Sequence, residues 1–126
     1  MRLLFILTLF SFGIQPTQSS LRQQLSGKWN MVGVRIYEQD ASSQLNPAGD
    51  RWLSFATAGT FSSGSGEQQE NAGTFKLDET TTLLSLDSDA GPGDDSDWKV
   101  TIRNDTLFMR GVGTERQESS EVVLVR

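Results

Sequence analysis

The chain has 126 residues, with eleven Lys and Arg against sixteen Asp and Glu, three Trp, twelve Gly, and neither His nor Cys. The two absences exclude a Ser-His-Asp triad, an imidazole base, thiolate chemistry, disulfides, and zinc held by His or Cys. A net negative chain without a basic run also argues against a nucleic-acid partner.

Met1-Arg2, the apolar run Leu3 to Phe12, Pro16 and the small residues Thr17 and Ser19 read as a secretory signal peptide over residues 1–19. The apolar run is too short to span a bilayer core of about 30 Å, so no membrane anchor is expected after cleavage. With no Cys at the cleavage point, a lipid anchor on Cys is chemically excluded, and the mature domain, residues 20–126, is expected to be secreted or periplasmic. About 107 residues then remain for one domain, without cross-links.

After one helical turn at Ser20 to Leu25, no helical period is sustained. Apolar and β-branched runs between Gly, Asp, Asn and Ser clusters predict eight strands. They lie near Lys28–Glu38, Arg51–Phe55, Thr60–Ser63, Asn71–Leu77, Thr82–Asp87, Asp97–Arg103, Thr106–Gly111 and Ser119–Val125. Connections of about 12, 4, 7, 4, 9, 2 and 7 residues are too short for crossover helices, so neighbours pair antiparallel. A turn at Asn104-Asp105 sets Ile102, Val100 and Trp98 opposite Leu107, Met109 and Gly111. Turns at Asp78 to Thr81 and Ala56 to Gly59 set Phe75 opposite Leu84 and Phe55 near Phe61. Each hairpin collects its large apolar residues on one face. An all-β chain of this kind is expected to close as an eight-stranded antiparallel up-and-down barrel, which removes the sheet edges; a two-sheet sandwich is the alternative.

The ordered set Gly27-Lys28-Trp29, Trp52 to Phe55, Gly59 to Gly64, Gly73 to Leu77, Leu83 to Leu86, Trp98 to Ile102 and Thr106 to Met109 resembles the small secreted bacterial lipocalin-like domains. The resemblance implies that Trp29, in the G-x-W begun by Gly27, plugs the closed end of the barrel. It also implies that Arg126, after the final strand, packs on that ring as a cation–π partner. The chain is shorter than the family's larger members, lacks their disulfides and has no recognisable second motif, so any cavity is expected to be shallow.

Alternating connections place the long loops at one end, and thirteen of the sixteen carboxylates map to those loops or the strand ends beside them. Such a mouth disfavours anions and suits neutral or cationic ligands, although a solvated rim is the simpler reading. Asp87, Asp89, Asp94, Asp95 and Asp97 are hard oxygen donors suited to a weak calcium site, but their spacing does not match the calcium-binding loop of helix–loop–helix proteins. No cofactor is implied. No carboxylate pair is singled out for catalysis, which leaves a carboxylate-dependent hydrolase or isomerase as a third reading.

The expected role is non-catalytic binding of a small apolar, weakly polar or cationic ligand by a monomer. Leu53, Leu86, Trp98 and Met109 are the candidate lining residues toward the mouth, with Tyr37 added by strict alternation from Trp29. Val32, Val34 and Ile36 compete for the same inner face, and a bulge at Gly33 would switch it. The alternative is a filled barrel that binds a protein or glycan through its long loops.

Overall fold

A computed structural model describes residues 20–126, so the expected signal peptide, residues 1–19, lies outside the described residues. Helix α1, Leu21–Leu25, opens with a capping box: the Ser20 hydroxyl accepts from Gln23 N–H, and the Gln23 side chain accepts from Ser20 N–H. Nine strands follow: β1 Gly27–Ile36, β2 Gln39–Asp40, β3 Arg51–Phe55, β4 Thr60–Ser65, β5 Gln68–Asp78, β6 Leu83–Ser88, β7 Ser96–Arg103, β8 Thr106–Val112 and β9 Ser120–Val125. Two further short helices are α2, Ser42–Leu45, and α3, Glu115–Glu118.

Strand order is β2-β1-β3-β4-β5-β6-β7-β8-β9, and β1 also pairs with β9. Eight antiparallel strands therefore close into a barrel, with β2 a short appendage on β1. Trp29, Phe55, Phe61, Phe75, Leu84, Val100, Leu107 and Leu124 fill the interior.

Two hairpins have the expected register. Asn104 and Asp105 both take positive φ, 52° and 60°, and Trp98, Val100 and Ile102 face Gly111, Met109 and Leu107. Gly59, at φ 101°, closes the β3–β4 turn and brings Phe55 opposite Phe61. Leu53 and Phe55 lie on the inner face, and Trp52 lies on the outer wall with Lys28 Nζ 5.1 Å from its ring centroid.

Three expectations need correction. The β5–β6 register is two residues off: Phe75 faces Leu86 and Gly73 faces Ser88. The turn runs through Thr82, which takes φ 59° despite its β-branch, and the Asp78 carboxylate holds it by accepting from Thr80 and Thr81 N–H. The supposed long connection Gly64 to Glu70 is a hairpin with a tight turn at Gly66-Glu67. A bulge between Ser63 and Gly64 keeps its polar residues paired; a Cβ on Gly64 would stand 2.0 Å from the Gln68 carbonyl oxygen.

The third correction lies in β1. A bulge between Met31 and Gly33 turns Val32 outward and Val34 inward, opposite Val122. Strict alternation from Trp29 therefore fails, and β1 ends at Ile36, before a turn in which Tyr37 and Glu38 have φ 52° and 64°. Buried Asn46 secures the bulge by donating to the Met31 carbonyl while accepting from Arg51 N–H, 3.2 and 3.1 Å.

Candidate functional site

The two ends of the barrel are built differently. At the closed end, Trp29 is wholly buried and its Nε1 donates to the Leu25 carbonyl at 2.7 Å. The Arg126 guanidinium lies 4.2 Å from the Trp29 ring centroid. Its Nη1 donates to the Ser26 carbonyl at 3.0 Å, its Nη2 to the Gln24 carbonyl, and its Nε meets Asp105 Oδ1 at 3.3 Å. Gly27 makes room for this: it takes φ 111°, and a Cβ there would stand 3.3 Å from Arg126 Nη1. Gly27, Trp29 and Arg126 thus form one assembly that ties α1 to the end of β9.

At the opposite end the barrel holds a cavity of about 200 Å³. Leu53, Leu86, Trp98 and Met109 line it. Tyr37 does not: the β1 bulge and the left-handed turn carry it outside, where it is half exposed. Met31 takes the inward position on β1, which alternation from Trp29 already implied two residues on. Val122 and Leu124 of β9 complete an apolar wall.

The facing wall is mixed, its apolar part being Phe61, Leu86 and Trp98. Ser63 on β4, Asn71 on β5 and Ser96 on β7 line the cavity, while Arg51 and Asp94 stand at its mouth. Arg51 is paired with Glu70 at 3.4 Å. Asn71 Oδ1 accepts from the Ser88 hydroxyl at 2.6 Å and from Ala72 N–H at 2.9 Å. The buried Ser88 hydroxyl in turn accepts from Ala90 N–H, which fixes the direction of its own proton toward Asn71. Trp98 Nε1 donates to Ser96 Oγ at 2.9 Å. Ser63 and Asn71 fall within expected strands, but nothing in the sequence marks these polar side chains as facing inward, and Ser96 lies just before the expected strand that starts at Asp97.

Three longer connections surround this mouth: the β1–β3 segment with α2, the β6–β7 turn with its short Pro92–Asp94 helix, and the β8–β9 segment with α3. Helix α3 leans over the inner face, since a Cβ on Gly111 would stand 2.2 Å from the Gln117 carbonyl oxygen. The acidic run does not gather into a cation site. Among the described residues no group of three or more carboxylates could hold a metal ion. Asp95 instead closes its own turn by accepting from Ser88 N–H at 2.8 Å, while Asp87 lies on β6, Asp97 on β7, and Asp89 and Asp94 in the connection between them.

One carboxyl in these connections is perturbed. Asp40 is held below its ordinary value of 3.8, first by the Ser42 N–H, then by the Ser42 hydroxyl; desolvation opposes the shift and the charge of Arg35 assists it.

Among solved structures the chain is similar to a DUF4847 family protein from Bacteroides vulgatus ATCC 8482, with a TM-score of 0.59 and 11% identity over 80% of this chain and 92% of that one. It is similar to a lipocalin-like protein from Bacteroides uniformis ATCC 8492, with a TM-score of 0.57 and 13% identity over 82% of this chain and 98% of that one. No protein-family model and no curated protein matches the sequence. At such identities the likeness is one of fold, and with the closed eight-stranded barrel it makes this a lipocalin-like barrel domain.

Proposed function

We propose that the protein is a secreted or periplasmic, non-catalytic binding protein that holds one small apolar or weakly polar molecule at the open end of its barrel. The observation that carries this reading is the cavity itself, with its apolar wall of Met31, Leu53, Met109 and Val122 and the Trp98 side chain beside it. At about 200 Å³ it is smaller than typical ligand pockets of about 300–1,000 Å³, which favours compact molecules over long-chain lipids.

The test is titration of residues 20–126 with small neutral apolar probes, followed by tryptophan emission and melting temperature. Binding is expected to perturb Trp98 emission and raise the melting temperature. If no probe changes either at millimolar concentration, the reading is wrong. In that case the second reading, an interaction module, takes its place. The observation favouring it is a set of exposed apolar side chains on the β1 side: Val32 at 57%, Tyr37 at 50% and Leu45 at 44% exposure.

A further inference from the structure

We infer that the ligand of this cavity carries a neutral hydrogen-bond acceptor, a carbonyl oxygen, which is held by the free amide NH₂ of Asn71 and the hydroxyl of Ser96. This rests on the binding reading above and adds to it a chemical class.

Ala72 N–H can only donate, so the Asn71 atom it meets at 2.9 Å is the carbonyl oxygen, which fixes the orientation of the amide. The Ser88 hydroxyl donates to the same oxygen. That oxygen is then occupied by two donors, and Nδ2, on a side chain lining the cavity, meets no acceptor among the described residues. Ser96 repeats the pattern. Its oxygen accepts from Trp98 Nε1, and its own proton meets no acceptor among the described residues. Both side chains have acceptors engaged and donors available, and the donors belong to groups already oriented by their neighbours. A ligand oxygen with lone pairs satisfies them; a ligand N–H does not.

The acceptor is neutral rather than a carboxylate. The cation at the mouth, Arg51, is already engaged by Glu70, and the Asp94 carboxylate lines the same cavity. An anionic head would meet uncompensated like charge there. The ligand body packs on the opposite wall of Leu53, Met109 and Val122. An aryl or alkyl ketone, ester or tertiary amide of compact size meets all three requirements.

The experiment uses four probes of one size: acetophenone, ethylbenzene, benzylamine and benzoate, with affinities measured by calorimetry or NMR. Ethylbenzene reports the apolar wall alone and serves as the internal reference. In the Asn71→Asp variant one carboxylate oxygen still accepts from Ser88 and Ala72, but the free NH₂ becomes an acceptor. The ratio of acetophenone to ethylbenzene affinity is expected to fall about fivefold or more, and that of benzylamine to rise. In the unmodified protein, acetophenone is also expected to shift the Asn71 side-chain NH₂ resonances more than ethylbenzene does, a readout that needs no variant. Unchanged ratios together with unshifted NH₂ resonances, while ethylbenzene still binds, overturn the carbonyl inference and leave the binding reading standing. Benzoate binding more tightly than acetophenone also overturns it. If none of the four binds, both the inference and the binding reading fall.

Discussion

The closed end of the barrel satisfies its polar groups internally, whereas at the open end two cavity-lining donors, on Asn71 and Ser96, meet no acceptor among the described residues. Around Trp29, the indole N–H finds the Leu25 carbonyl, and Arg126 divides its donors among Gln24, Ser26 and Asp105. Around Trp98, the indole N–H is also satisfied, by Ser96, but Asn71 Nδ2 and the Ser96 hydroxyl proton meet no acceptor among the described residues. The two tryptophans are alike as residues and differ in surroundings: one is wholly buried, the other half-buried beside a cavity. Stability is therefore concentrated at one end and recognition at the other, as expected where a site needs unsatisfied groups and a core cannot tolerate them.

That contrast can be broken by truncation. Trp29→Ala is expected to destabilise the domain by about 3–5 kcal/mol, because a fully buried indole leaves a cavity enclosed by rigid neighbours. Trp98→Ala should cost less, about 1–2 kcal/mol, while weakening the fluorescence response to apolar probes to what Trp52 alone reports. Equilibrium unfolding in urea measures both, and equal losses would erase the distinction between the ends. Next in size, Arg126→Ala is expected to cost about 1–2 kcal/mol through loss of the ring contact and the carbonyl bonds, with no effect on ligand affinity. Arg126→Lys should recover only part, since an ammonium lacks the planar fork that reaches two carbonyls while stacking on a ring.

The smallest effect sharpens the contrast from the loop side. The Asp40 carboxyl is held below its ordinary value in the folded protein, so its stabilising contribution is fully present above that value. It is lost as pH falls through the lowered one. Wild type and Asp40→Asn should therefore differ in unfolding midpoint at neutral pH and converge in strong acid. A difference that grows on acidification would reverse the sign and refute the assignment.

Much of the barrel was legible because hairpin chemistry is local. Asn104-Asp105 and Gly59 each demand a left-handed backbone that few residues accept, and their flanking alternation then sets the register. The β5–β6 hairpin misled for the same reason inverted: Thr82, a β-branched residue, takes the left-handed position, which no residue preference announces. The Gly66-Glu67 hairpin was hidden by its polarity, since strands that project into solvent lose their apolar alternation. In the site, Leu53, Leu86, Trp98 and Met109 followed from alternation, and Tyr37 failed because one inserted residue near Val32 reverses every later side chain on β1. Asn71 was invisible because its role depends on Ser88, seventeen residues away in the chain and adjacent only once β5 and β6 pair.

The seam between β1 and β9 governs the order in which the barrel can form. Each other pairing among the barrel strands joins neighbours in the chain order of those strands, but this one joins residues such as Asn30 and Val125. Hairpins from β3 to β8 can assemble as the chain emerges, while the far side of β1 waits with its backbone groups unpaired until β9 arrives. Closure thus carries the largest loop-closure entropy of the barrel pairings, and Arg126 reaches Trp29 only when it is complete. A chain truncated before β9 would present an open sheet with two sticky edges, prone to aggregate rather than to persist as a smaller domain.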